Sequence, residues 1–294
     1  MPSSPTATAT ARFTVTRADA HDWAFVARWC EREGWNPGRR DALGFLPQDP
    51  DGFFVGRLDG EIASAVSVVN YDDAFSFLGF YLVREDLRGR GFGMATWREA
   101  VTHAGQRTIG LDGVPAQEAN YERSGFSTVY RTVRYGGSGS HWGFGSRQTA
   151  ASGILSADQV PVEAVAEFDR QCFPADRSSF VARWLSLPGH TAYVHMTGER
   201  VTGYGVIRPS LEGYRIGPLF AADPAAAQGL FDTLASYAGP GPVFMDVPEP
   251  NEAARKLVAA CGLAPGFETV RMYTGPTRPI AIGYVYGVTT LELG

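Results

Sequence analysis

The chain has 294 residues, 44% hydrophobic and 19% charged, the profile of a soluble globular protein with one large or two ordinary domains. A formal net charge of −5 provides no basic excess, so neither nucleic acid nor an anionic membrane is expected as a partner. Cys30, Cys172 and Cys261 are too few and too far apart for a zinc set or a disulfide framework, so no metal is expected, and no apolar run approaches membrane-spanning length.

Residues 1–11 (MPSSPTATATA) lack the basic region and apolar core of a signal peptide, so they read as a disordered tail and the expected compartment is the cytoplasm. Residues 12–17 (RFTVTR) alternate apolar and polar as a strand does. Asp19 can cap a helix carrying Trp23, Val26, Trp29 and Cys30 at three- and four-residue spacing, which breaks at Gly34. The turn-rich segment from Trp35-Asn36-Pro37-Gly38 to Pro50 has room for one short helix. Residues 52–58 and 62–70 read as strands joined by the turn Asp59-Gly60. The unbroken apolar run at 77–83 reads as a strand buried on both faces. A polar elbow at 84–93 leads into a helix marked by Met94, Trp97 and Val101. A strand at 108–112, a helix at 117–124 and a strand at 128–135 follow. A strand–helix–strand crossover of this kind makes a parallel pair.

The elbow, Arg88-Gly89-Arg90-Gly91-Phe92-Gly93, sets Gly91 and Gly93 two apart with Arg88 three residues before Gly91. Glycine lets backbone amides approach a phosphate closely, arginine adds forked hydrogen bonds, and the following helix N-terminus adds positive potential. It lacks the Gly-Lys-Ser/Thr of a Walker loop and the third glycine of a dinucleotide fingerprint. It resembles the acetyl-CoA loop, R/Q-x-x-G-x-G/A, of the GCN5-related N-acetyltransferase (GNAT) superfamily, and the order of elements around it is similar too. That resemblance implies an α/β fold with a mixed sheet and acetyl-CoA as co-substrate. It implies that coenzyme A is held by Arg88, Gly89, Arg90, Gly91, Phe92, Gly93 and Met94, and by main chain at Tyr81, Leu82 and Val83. The segment holding Trp35 and Asn36 would shape the acceptor site.

Residues 136–153 are rich in glycine and serine and mark a linker, set at 137–153, between a first domain at 12–136 and a second at 154–294. The second repeats the first. Gly110-Leu111-Asp112, a helix, Ser124-Gly125-Phe126 and Thr132-Val133-Arg134 are echoed by Phe244-Met245-Asp246, a helix, Cys261-Gly262-Leu263 and Thr269-Val270-Arg271. The echo has Ala221-Ala222-Asp223-Pro224 where the first copy has its glycine elbow, and Asp223 as an N-cap would occupy the amides itself. The whole is similar to tandem GNAT proteins with a degenerate second half of the YitH type.

Tyr121-Glu122-Arg123-Ser124-Gly125-Phe126 resembles the family's Y-x-x-x-G-F segment, which implies that Tyr121 protonates the departing thiolate. The asparagine that commonly contacts coenzyme A seven residues earlier is replaced by Val114. Asp112 is a candidate base, although its recurrence as Asp246 in the degenerate copy favours a structural role for both. The expected function is acetyl transfer to a primary amine of a small molecule or peptide by direct attack in a ternary complex. The alternative is a non-catalytic acyl-CoA-binding or regulatory module. Monomer and dimer both stay open.

Overall fold

The computed structural model describes residues 12–138 and 153–294; the expected tail and most of the expected linker lie outside the described residues. The first copy comprises β1 (Phe13–Arg17), α1 (Ala20–Arg32), α2 (Asp41–Phe45), β2 (Phe53–Leu58), β3 (Glu61–Asn70), β4 (Phe75–Val83), α3 (Phe92–Val101), β5 (Thr108–Gly113), α4 (Glu118–Arg123) and β6 (Ser127–Ser138). This is the expected order. The second comprises β7 (Ile154–Ser156), α5 (Val162–Asp169), α6 (Ser178–Ser186), β8 (Thr191–Thr197), β9 (Arg200–Pro209), β10 (Tyr214–Ala221), α7 (Pro224–Tyr237), β11 (Pro242–Pro248), α8 (Glu252–Ala260), β12 (Ala264–Tyr273) and β13 (Val285–Gly287).

Local chemistry accounts for the boundaries. Asp19 and Asp22 form a reciprocal capping box at the start of α1, whose Trp23, Val26 and Cys30 are buried. Asp59 and Gly60, both at positive φ, make the tight turn between β2 and β3. On β3, Ala65 and Val69 face one core while Val66 and Val68 face the other. The second of these cores lies under α3, around Trp97 and Ala100. The first joins the copies: Trp23, Phe45 and Phe80 pack with Phe180, Trp184 and Leu293.

The two copies do not form separate sheets. One mixed sheet runs β1-β2-β3-β4-β5-β12-β6-β11-β10-β9-β8-β7, with β13 added to β10. The last long strand of each copy lies against the other copy: β12 pairs with β5, and β6 with β11. The exchange is held by equivalent ion pairs. Arg271 lies opposite Asp112 and grips both its oxygens, at 2.8 and 2.6 Å. Arg134 lies opposite Asp246 and grips both of its oxygens, at 2.7 and 3.2 Å. Between them β6 and β12 run antiparallel, with Thr132 opposite Thr269, the same residue of the repeat in each copy. The chain is thus a strand-exchanged pseudo-dimer.

Each copy also has a place where two parallel strands part. β4 and β5 pair from Phe75–Thr108 to Leu78–Leu111 and then diverge. β10 and β11 pair from Tyr214–Val243 to Ile216–Met245 and then diverge. In the second copy the gap is filled: β13 hydrogen-bonds along β10 at Leu219 and Phe220, and the Val288 amide donates to the Asp246 carbonyl. Residues 288–294 then cross to the first copy. A Cβ on Gly217 would meet the Thr289 carbonyl, and a Cβ on Gly79, the equivalent residue of β4, would meet that of Glu292. The segment is anchored at Leu293, whose carbonyl accepts from the Tyr71 hydroxyl at 2.7 Å, and at Gly294, whose oxygen accepts from Arg177 at 3.2 Å.

Candidate active site

The first copy's gap opens into a cleft of about 560 Å³. At one end lies the elbow. Gly89 and Gly91 adopt φ of +74° and +87°, and no heavy atom lies within 4 Å of where their Cβ atoms would stand. Gly91 is the N-cap of α3 and offers no side chain, so the first-turn amides of this ten-residue helix have no side-chain cap. Backbone donors, open space and a helix dipole therefore converge, an arrangement that fits a pyrophosphate. In the second copy the Asp223 carboxylate accepts from the amides of Ala225 and Ala226, both at 2.9 Å, so the equivalent donors of α7 are satisfied internally.

Of the residues expected to hold coenzyme A, Tyr81, Leu82, Val83, Arg88, Gly89, Gly91, Gly93 and Met94 line the cleft. Arg88 is half-exposed, donates to the Val83 carbonyl at 3.1 Å and pairs with Glu33 at 3.1 Å, leaving it free to exchange that carboxylate for a phosphate. Arg90 and Phe92 do not line it. The Arg90 guanidinium lies over the Phe92 ring, 5.3 Å from its centroid, and Phe92 packs against Phe13. The strand irregularity begins at Phe80, one residue before the expected stretch; its φ of +52° is strained for an aromatic residue and sits where the β3–β4 register shifts.

Tyr121 lies further along the cleft, its ring stacked on Trp97 at 5.8 Å and resting on Gly113, where any Cβ would collide with it. Burial first, and then the nearby Tyr81 hydroxyl, push the Tyr121 phenol up to about 12. It is a secure donor at neutral pH.

Asp112 also lines the cleft, but its carboxylate is spent on Arg271. Both oxygens already accept charged hydrogen bonds across the exchanged strands, a structural engagement of the kind that its recurrence as Asp246 favoured over the role of base. Burial raises its affinity for a proton and the Arg271 charge opposes that rise. Trp35 lines the cleft, and its carbonyl accepts from Arg134 at 2.7 Å. Asn36 does not. Its side chain donates to the Glu212 carbonyl and accepts from the Glu212 amide, tying the copies together. Asp72 accepts from the amides of Ala74 and Phe75, as a turn residue does.

The opposite wall comes from the second copy, and sequence reasoning missed it. Phe267 and Thr269 arrive on the exchanged β12, and Leu291 and Glu292 on the segment after β13. The Thr269 hydroxyl is buried with no hydrogen-bond partner among the described residues. No motif marks residues 288–294 (VTTLELG); only a charged residue within an apolar run hinted at a special environment. None of the three cysteines lines the cleft. Among the described residues no helix is long and apolar enough to cross a membrane.

Comparison with known proteins agrees with this architecture. Residues 20–126 match the "Acetyltransferase (GNAT) family" and residues 165–287 an "Acetyltransferase (GNAT) domain". The chain is 32% identical over 283 residues to holothin acyltransferase of Pseudoalteromonas sp. (strain SANK 73390), covering 96% of this chain and 95% of that protein. A crystal structure from Pyrococcus horikoshii superposes with a TM-score of 0.80 at 22% identity, covering 96% of both chains. A tandem GNAT protein from the clavulanic acid biosynthesis pathway does so with a TM-score of 0.61 at 18% identity, covering 90% of this chain and 99% of that one. With a glycine elbow in one copy, its donors capped in the other and a relative matched end to end, the chain belongs to the GNAT acyltransferases as a tandem member.

Proposed function

We propose that the chain transfers the acetyl group of acetyl-CoA to a primary amine by direct attack in a ternary complex. The observation that carries this reading is the open, uncapped cradle at Gly89–Gly91, continuous with a cleft that reaches Tyr121. Acetyl-CoA, when bound, supplies an activated thioester carbonyl. The chain's residues do the rest. The amides at the start of α3 and the Arg88 guanidinium hold the pyrophosphate. Beyond Leu78, β4 has no β5 residue paired to it, which leaves backbone there to polarise a carbonyl. Tyr121 donates to the sulfur as it departs. The lack of a cleft cysteine favours direct attack over an acyl-enzyme.

The relative named for holothin supports acyl transfer and makes holothin a first acceptor to try, beside small amines and lysine peptides. The test is thiol release from acetyl-CoA across that panel. Acceptor-dependent release with the N-acetyl product by mass spectrometry is the expected result. Retained acetyl-CoA binding with no release for any acceptor would favour a binding module instead.

A further inference from the structure

The cleft contains one carboxylate that the structure leaves uncommitted. Glu292 is 5% exposed and lines the cleft, yet its side chain forms no hydrogen bond or salt bridge among the described residues. The other cleft carboxylates are engaged, Asp112 by Arg271 and Glu33 by Arg88. A buried carboxylate is costly unless it is paired or used. Its backbone is fixed closely: its carbonyl lies against Gly79 at the point where β4 and β5 part, and the next residue is held by Tyr71. Leu291 beside it and the unsatisfied Thr269 make a lining of apolar and polar groups suited to an amine and the carbon skeleton it is attached to.

We propose that Glu292, delivered by the degenerate copy, is the general base that deprotonates the attacking amine in the first copy's site. This rests on reading the cleft as an amine acyltransfer site. Glu292 takes a proton from the ammonium and later passes it to solvent, which frees the nitrogen lone pair. The N–C bond forms and the C–S bond breaks with its electron pair on sulfur. The Tyr121 phenol protonates the thiolate and is restored by the proton that the new amide nitrogen sheds.

Burial raises the Glu292 carboxyl above the ordinary carboxylate range; Arg215 and Arg134 oppose the rise, while Asp41 and Asp246 add to it. Cys30 on α1 is a further titratable neighbour, and its thiol is pushed far up, first by burial and then by Glu292. A base must be ionised, so turnover should fall as pH drops through this raised value.

The experiment compares wild type, Glu292→Gln and Glu292→Asp as full chains with acetyl-CoA and the best acceptor of the panel, across pH. In Glu292→Gln, kcat is expected to fall by about 10²- to 10³-fold and the acidic limb of the profile to vanish. Calorimetric affinity for acetyl-CoA should stay within a few-fold. Glu292→Asp keeps a negative charge facing Arg134 and Arg215, so it guards against a failure to fold. It should retain an acidic limb at lower kcat. A wild type that turns over, with Glu292→Gln matching its rate and profile, overturns the base alone. A wild type that turns over no amine overturns the acyltransfer reading and the base with it.

Discussion

Burial and chemistry pull Tyr121 in opposite directions. A phenol pushed up to about 12 is protonated in the resting enzyme, yet it is a weaker acid than a thiol of ordinary pKa, about 8.5. Its contribution should therefore come mostly from a hydrogen bond that strengthens as charge builds on sulfur, and sit at the low end of what a positioned acid provides. Tyr121→Phe keeps the Trp97 stack and should lower kcat about 100-fold, with acetyl-CoA affinity and melting temperature little changed. Unchanged kcat with a lower melting temperature would make it a packing residue. Asp112 is the contrasting case. Asp112→Asn leaves the Arg271 guanidinium buried without its counter-charge, so chemical denaturation should show a loss of about 3 kcal/mol. A fully stable variant with lost turnover would return Asp112 to the role of base.

At the level of elements, the two helices that follow the central strands start differently. α3 begins at a bare glycine and α7 at a capping aspartate, a contrast readable directly in the sequence because caps and glycine turns are local chemistry. Placing the α7 solution in α3 tests it. Gly91→Asp puts a β-branch-free but charged side chain at φ +87° over the donors and should abolish acetyl-CoA binding by calorimetry, while the chain stays folded. Affinity within a few-fold of wild type would reduce the elbow to a turn. The element order was legible for the same local reason, down to a residue or two at most strand ends. The acceptor wall was not. Phe267 and Glu292 reach the cleft through contacts spanning most of the chain, which no spacing within a strand or helix records.

The described residues carry one open splay and one filled splay, so calorimetry should find a single acetyl-CoA site per chain; two comparable sites would contradict the filling of the second by β13. The repeat itself could be read from Asp112, Asp246 and the paired Thr-Val-Arg runs. Which aspartate meets which arginine could not. Asp112 with Arg134 within a copy, or with Arg271 across copies, would place the same side chains in the same register, and sequence offers no term that separates the two. The answer lies in how the copies meet, through the shared core around Trp23, Phe45, Phe180 and Trp184.

That exchange has a consequence for how such a protein can change over generations. A duplicated module that has lost its chemistry would ordinarily be dispensable, free to shrink away. Here the second module owns β12, which lies in the sheet beside β5, and it supplies Leu291 and Glu292 to the wall of the first module's cleft. Cutting it out would remove a strand and a wall from the first half, so the second half is a structural dependency of the first even though it carries no glycine cradle of its own.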